Sequence, residues 1–106
     1  MLPNQVDMLK KTAYIAGPIT GIPYYRENFS RAARYVKHTG FTTVLNPAEL
    51  PGTLDNSQAM KICFAMIDVA DAVFFMPEWD RSVGAKLEHA YCKYLNKEIY
   101  YLPAKP

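Results

Sequence analysis

Cysteine is scarce in this chain, and the two present, Cys63 and Cys92, do not stand at metal-ligand spacing. That excludes a disulfide framework or a zinc ribbon, and because both lie in apolar helical patterns they are expected as reduced core thiols. Long hydrophobic runs are missing as well: no stretch approaches the ~20 apolar residues of a membrane span. The stretch from Met1 to Lys11 lacks the basic-then-apolar order of a secretory leader, so the expected location is cytoplasmic, with no membrane partner. Charge of one sign is equally sparse. The formal net charge is +2, with lysines and arginines scattered among acids, so no nucleic-acid partner is expected although a single phosphate is compatible. Three catalytic signatures are absent too. There is no Gly-x-x-x-x-Gly-Lys-Ser/Thr loop, no Gly-x-Gly-x-x-Gly fingerprint and no Gly-x-Ser-x-Gly elbow, which removes the P-loop, dinucleotide and α/β-hydrolase readings. No metal site and no cofactor are expected.

What is present is globular: 106 residues, 50% hydrophobic and 21% charged, read as one domain over 1–106 with 1–11 as an N-terminal extension. Thr12 to Ala16 is a short β-prone run stopped by Gly17-Pro18. From Pro23, a good first-turn residue, Phe29, Ala32, Ala33 and Val36 recur at helical spacing until Gly40 ends the run. Phe41 to Leu45 is a second strand, closed by Asn46-Pro47. Asp55 and Gln58 then have capping-box spacing ahead of a helix whose buried face is read as Met60, Cys63, Phe64 and Ile67. Ala72 to Met76 is a continuous apolar run, as in a strand buried on both faces. A third helix is read with Leu87, Ala90, Tyr91, Tyr94 and Leu95 on one stripe, and Glu98 to Leu102 is a fourth strand. Strands alternating with helices call for a parallel α/β sheet covered on both faces, with order 2-1-3-4. Ligands of such sheets sit at the carboxyl ends of the strands, where the order reverses. That edge gathers Gly17-Pro18-Ile19-Thr20-Gly21, Asn46, and the segment from Pro77 to Gly84.

The segment Trp79-Asp80-Arg81-Ser82-Val83-Gly84-Ala85-Lys86-Leu87-Glu88 is the densest in chemistry. Free N–H groups and the positive dipole end at a helix start suit a phosphate or sugar hydroxyl near Ser82, Gly84 and Ala85. Ser82 is equally readable as an ordinary cap, and Glu88 as a solvated acid. Glu88 shares a helix face with Gly84, Ala85, Tyr91 and Cys92, however, so it borders apolar surface. A carboxylate held there can stabilise or trap an oxocarbenium-like centre. Gly17 to Gly21, with the Thr20 hydroxyl, has the composition of a phosphate or sugar contact. Trp79, Tyr24 and Tyr25 suit either base stacking or a subunit contact, while His38 and His89 read as helix-face residues.

Tyr14 to Gly21, Asn46-Pro47, Ala70-Asp71-Ala72-Val73 and Trp79-x-x-Ser82-x-Gly84-Ala85-x-x-Glu88 together resemble the nucleoside 2-deoxyribosyltransferase-like superfamily, closest to its small, often phage-associated branch. The resemblance runs from about Thr12 to Leu102 and implies a flavodoxin-like three-layer sandwich. It also implies Glu88 as the nucleophile at C1′, Tyr14 as the residue that holds it, and the loop from Gly17 to Gly21 on the sugar and phosphate side. Two positions depart from the transferases. Ser82 stands where those acting on free nucleosides carry an aspartate; a serine there is similar to nucleoside 5′-monophosphate N-glycosidases and implies a nucleotide as small-molecule partner. Cys63 stands where catalytic members carry an aspartate, which keeps a non-catalytic nucleotide-binding module in view as the alternative. A short chain with a strand-end site and surface tyrosines is expected to form a homo-oligomer.

Overall fold

The computed structural model describes residues 11–104, so the expected extension lies outside the described residues except for Lys11. The elements are β1 (Thr12–Ala16), α1 (Tyr25–His38), β2 (Thr43–Leu45), a 3-10 turn (Pro47–Glu49), α2 (Asn56–Val69), β3 (Ala72–Phe75), a second 3-10 turn (Trp79–Arg81), α3 (Val83–Leu95) and β4 (Glu98–Tyr101). All strand pairs are parallel and the order is β2-β1-β3-β4, as the alternation of strands and helices predicts.

The two-residue period of a strand sorts the core into two layers. Tyr14 and Ala16 of β1, with Val73 and Phe75 of β3, pack against Cys63 and Ile67 of α2 and Cys92 of α3. On the opposite face, Ala13 and Ile15 of β1 and Ala72 and Phe74 of β3 meet Phe29, Ala32 and Val36 of α1. Both central strands are therefore buried on both faces, which is why they read as unbroken apolar runs. A completely buried side chain of the size of Phe29 or Val36 contributes ~1.5–3 kcal/mol.

Local signals explain most boundaries. The Asp55 carboxylate accepts from Gln58 N at 2.8 Å and the Gln58 amide accepts from Asp55 N at 3.0 Å, so the capping box that starts α2 is complete. α1 begins two residues later than Pro23, because Tyr25 N first closes a turn on Ile22 O at 3.3 Å. β2 starts at Thr43 rather than Phe41, since Phe41 instead sets its ring edge-on against Phe74, with centroids 5.3 Å apart.

α3 departs from the expected stripe. Its buried residues are Ala85, Glu88 and Cys92, while Leu87 is 53% exposed and Tyr94 86% exposed. Small side chains let the helix approach α2 and the sheet closely on this side: a Cβ on Gly84 would already touch Met60 Sδ at 3.4 Å. The bulky residues are left outward and the acid is turned in.

Candidate functional site

One strand and two helices bring three polar side chains into the core layer between the sheet, α2 and α3. Tyr14 points there from β1, Cys63 from the middle of α2 and Glu88 from the second turn of α3, and all three are buried. The Tyr14 hydroxyl donates to Glu88 Oε2 across 74 residues of sequence. Cys63 packs in the same buried cluster as Tyr14.

Glu88 makes no ion pair among the described residues, and this absence governs the electrostatics. Burial raises its carboxyl from 4.5 to about 7, while the hydrogen bonds from Tyr14 and then Cys63 pull it back. Tyr14 is raised well above its ordinary value, first by burial and then by the neighbouring Glu88 charge. Burial likewise pushes Cys63 to about 11, opposed by the Tyr14 hydrogen bond and reinforced by Glu88. Around neutral pH, then, Glu88 changes charge while Tyr14 and Cys63 remain protonated donors. A carboxylate poised in this way can act as a nucleophile or a base, with one oxygen held by Tyr14. No buried side-chain oxygen or nitrogen lacks a partner among the described residues.

The start of α3 forms the adjoining wall. Ser82 is the N-cap, and its Oγ accepts from Ala85 N at 3.2 Å. That bond leaves the serine's own O–H proton and the first-turn N–H groups of Val83 and Gly84 without helical partners, so the end is suited to an anion. The strand-one loop is built differently from residue to residue. Gly17 is buried, and a Cβ there would lie 2.8 Å from Met76 Sδ and 2.9 Å from Met76 Cβ, so only glycine lets the ends of β1 and β3 close up. Pro18 is half-buried, Ile19 packs into the α1-side core and Thr20 is exposed. Gly21 takes φ +79, the left-handed turn that glycine tolerates best.

Two of the residues read from the sequence serve other partners. Asn46 Oδ1 accepts from Ala48 N at 2.9 Å to cap the first 3-10 turn, and it lines an open groove of about 650 Å³ with Arg26, Ser30, Glu49 and Gly52. Trp79 is half-buried and stacks on His89 at 4.2 Å, beside Phe75 and Tyr101. The His89 ring in turn lies 2.7 Å from the Tyr101 hydroxyl. Burial lowers the imidazole pKa and Lys93 adds to that, and the half-buried ring sits among aromatic neighbours on the face of α3. Sequence reasoning missed this four-ring cluster because its members come from β3, the second 3-10 turn, α3 and β4, and no local spacing links them.

Among the described residues, no group of three or more His, Cys, Asp or Glu side chains is placed to hold a metal ion. No described helix is long and apolar enough to cross a membrane. Cys63 and Cys92 are free and buried, in accord with the reading of both as core thiols.

A family model described as a domain of unknown function, DUF4406, matches residues 11–101. No curated protein matches the sequence. Among solved structures, a 2-desoxiribosyltransferase from Leishmania mexicana superposes with a TM-score of 0.66 at 24% identity, over 87% of this chain and 63% of that one. The likeness establishes a shared fold, in agreement with the flavodoxin-like sandwich implied by the sequence, and this chain spans less than two thirds of that protein's length.

Proposed function

The chain belongs to the DUF4406 family, and we propose that it cleaves or transfers the N-glycosidic bond of a nucleotide or deoxynucleotide through Glu88. The observation that carries this reading is a carboxylate buried without a cation and tethered by the Tyr14 hydroxyl. Desolvating an acid in this way is costly, and active sites are where such a cost is commonly retained. A fold shared with a 2-desoxiribosyltransferase supports the same chemistry.

In this reading the unprotonated Glu88 attacks C1′ with the oxygen that Tyr14 leaves free. The C1′–N bond breaks, the base departs with the bonding electrons and takes up a proton, and a glycosyl ester forms on Glu88. Water, or a second base, then attacks C1′ and restores the carboxylate. Tyr14 keeps Oε2 fixed throughout, and its raised pKa keeps its proton available to that oxygen. Ser82 and the N–H groups of α3 take the 5′-phosphate. An aspartate at position 82 would repel that group, so a nucleoside 5′-monophosphate hydrolase is the favoured form of the activity. The loop from Gly17 to Gly21 lines the sugar and phosphate side, Trp79 lies toward the base, and no cofactor takes part.

A homo-oligomer belongs to the same proposal. Val83, Leu87, Ala90 and Tyr94 lie at helical spacing on α3 and are all exposed, an apolar stripe that a second copy would cover. Light scattering at working concentration should give a mass above that of one chain; a monomer contradicts it.

The enzyme reading is tested by incubating the protein with a panel of nucleoside monophosphates and separating free base by chromatography, with Glu88→Ala as control. Release from at least one substrate that vanishes in the variant is expected; release that persists, or none at all, sinks it. Cys63 in place of an acid favours the second reading, a binding module that holds a nucleotide intact. A nucleotide that co-purifies and survives long incubation unchanged would select it.

A further inference from the structure

We infer that His89 is a positioning residue for the phosphate side: its ring, stacked on Trp79, fixes the turn between β3 and α3 and so holds the Ser82 hydroxyl and the first N–H groups of α3 in place for a nucleoside 5′-monophosphate. This rests on the reading of Ser82 as the residue that takes the phosphate.

The backbone couples Trp79 to Ser82. Trp79 N donates to Met76 O at 3.2 Å, just past the end of β3, and Trp79 O accepts from Ser82 N at 3.0 Å. Ser82 in turn accepts from Lys86 N through its carbonyl at 2.9 Å and from Ala85 N through Oγ at 3.2 Å. A displacement of Trp79 therefore reaches the N-cap through one hydrogen bond.

What holds Trp79 is its ring. Of the turn Trp79–Arg81 only the tryptophan is half-buried, and Asp80 and Arg81 are exposed. The ion pair of Arg81 with Glu78 spans 3.1 Å, but its side chains are 80% and 66% exposed, where such a pair adds little. Glu78 itself takes φ 65, a left-handed conformation unfavourable to a residue with a side chain, so the turn does not keep its shape by local preference. A tertiary contact has to offset that strain. The indole finds it at His89, with centroids 4.2 Å apart and planes within 23°. Phe75 and Tyr101 are farther from the indole, at 5.3 and 6.0 Å, and tilted. The imidazole is fixed in its turn, 2.7 Å from the Tyr101 hydroxyl of β4 and edge-on to Phe75 of β3 at 4.9 Å. The stack thus closes the connection back on the helix that Ser82 caps. Glu88 is one residue away, about 100° round the helix, so the stack and the carboxylate serve different walls and His89 is expected to govern binding rather than bond cleavage.

Trp79 is the one tryptophan of the chain, so its fluorescence reports the stack directly. Emission and acrylamide quenching are measured in the wild type, His89→Ala and His89→Phe. Values of kcat and KM for a nucleoside monophosphate and the matching free nucleoside are measured in the same proteins, in Ser82→Ala and in the double variant Ser82→Ala/His89→Ala. His89→Ala should shift emission to longer wavelength and strengthen quenching. Its KM for the monophosphate should rise about fivefold, with kcat within about twofold and KM for the free nucleoside unchanged. His89→Phe, which stacks without bonding Tyr101, should recover both the signal and KM. In the double variant KM should rise no further than in Ser82→Ala alone, because His89 acts through Ser82. If His89→Ala unfolds the chain, His89→Leu fills the space without a flat ring and replaces it.

An unchanged Trp79 signal in His89→Ala, or a changed signal with the monophosphate KM unmoved, overturns the inference. So do effects of the two single variants that multiply, or equal losses for monophosphate and free nucleoside with a lower Tm. If no protein releases base, the enzymatic reading fails and calorimetric binding of the monophosphate takes the place of KM. Weaker binding by His89→Ala, recovered in His89→Phe, then keeps the inference, and equal binding, or none by the wild type, overturns it.

Discussion

The two ends of α3 treat charge in opposite ways. At its C-terminal end Asn96 takes the left-handed cap, and the Lys97 ammonium donates to Ala70 O at 2.6 Å and Asp68 O at 3.1 Å, satisfying carbonyls where α2 ends. Nearby, Asp71 Oδ2 accepts from Thr12 N at 2.8 Å, and Tyr91 donates to Asp68 Oδ1 at 2.6 Å. These charges lie at or near the surface, have partners of obvious structural use and join α2, α3 and the sheet. Near the N-terminal end, Glu88 is 5% exposed and is met by the neutral Tyr14 hydroxyl. The helix thus has a stabilising end and an end that works against stability, and the second is where chemistry is to be sought.

Glu88→Gln should give the largest effect and separates the two roles. Base release should fall at least roughly a thousandfold, as for loss of a nucleophile. Stability should change in the opposite direction. Because folding raises the carboxyl from 4.5 to about 7, the folded chain holds a proton that the unfolded chain has lost between those values, and wild-type stability falls as pH rises across that window. Above it the full penalty applies, on the order of 3 kcal/mol, so denaturant titration should find Glu88→Gln more stable there. Below pH 4.5 the difference should disappear. A variant less stable at every pH would break the comparison.

Gly17→Ala comes next. The added methyl meets Met76 within 3 Å, and the resulting shift of strand ends should cost ~1–3 kcal/mol and reduce base release with it. Lys97→Met probes the other end of α3: about 1–2 kcal/mol of stability should go with the two charge-assisted hydrogen bonds, while base release stays at the wild-type level. A large loss of activity there would mean that the two ends are not separate. Ser82→Ala is the smallest in stability, ~1 kcal/mol for a lost cap, but KM for a nucleoside monophosphate should rise by about tenfold and that for the free nucleoside should not.

Much of this was legible in the chain because it depends on local periods. β1 and β3 declare themselves as apolar runs, the Asp55–Gln58 box starts α2, and alternation with helices fixes a parallel sheet. The face of α3 was legible only in part: helical spacing set Glu88 beside Ala85 and Cys92, but the core stripe was read through Leu87 and Tyr94. Leu87 and Tyr94 outrank Glu88 in hydrophobicity, so they look like the core side, yet close packing selected Ala85 and Cys92, and Glu88 lies in line with them. Tyr14, Cys63 and Glu88 are far apart in sequence, and only the superfamily resemblance linked Tyr14 to Glu88; nothing in their spacing placed Cys63 in one buried cluster with Tyr14. The stack of Trp79 on His89 depends on tertiary approach in the same way.

The central claim is that Glu88 forms a bond to C1′ of a nucleotide, and mass spectrometry tests it most directly. The protein is mixed with a nucleoside 5′-monophosphate that it cleaves, quenched in acid within the first turnover and digested. The peptide bearing Glu88 should gain the mass of the sugar phosphate, and the gain should be absent in Glu88→Gln. Base release with every peptide unmodified, or with the added mass on another residue, would contradict it.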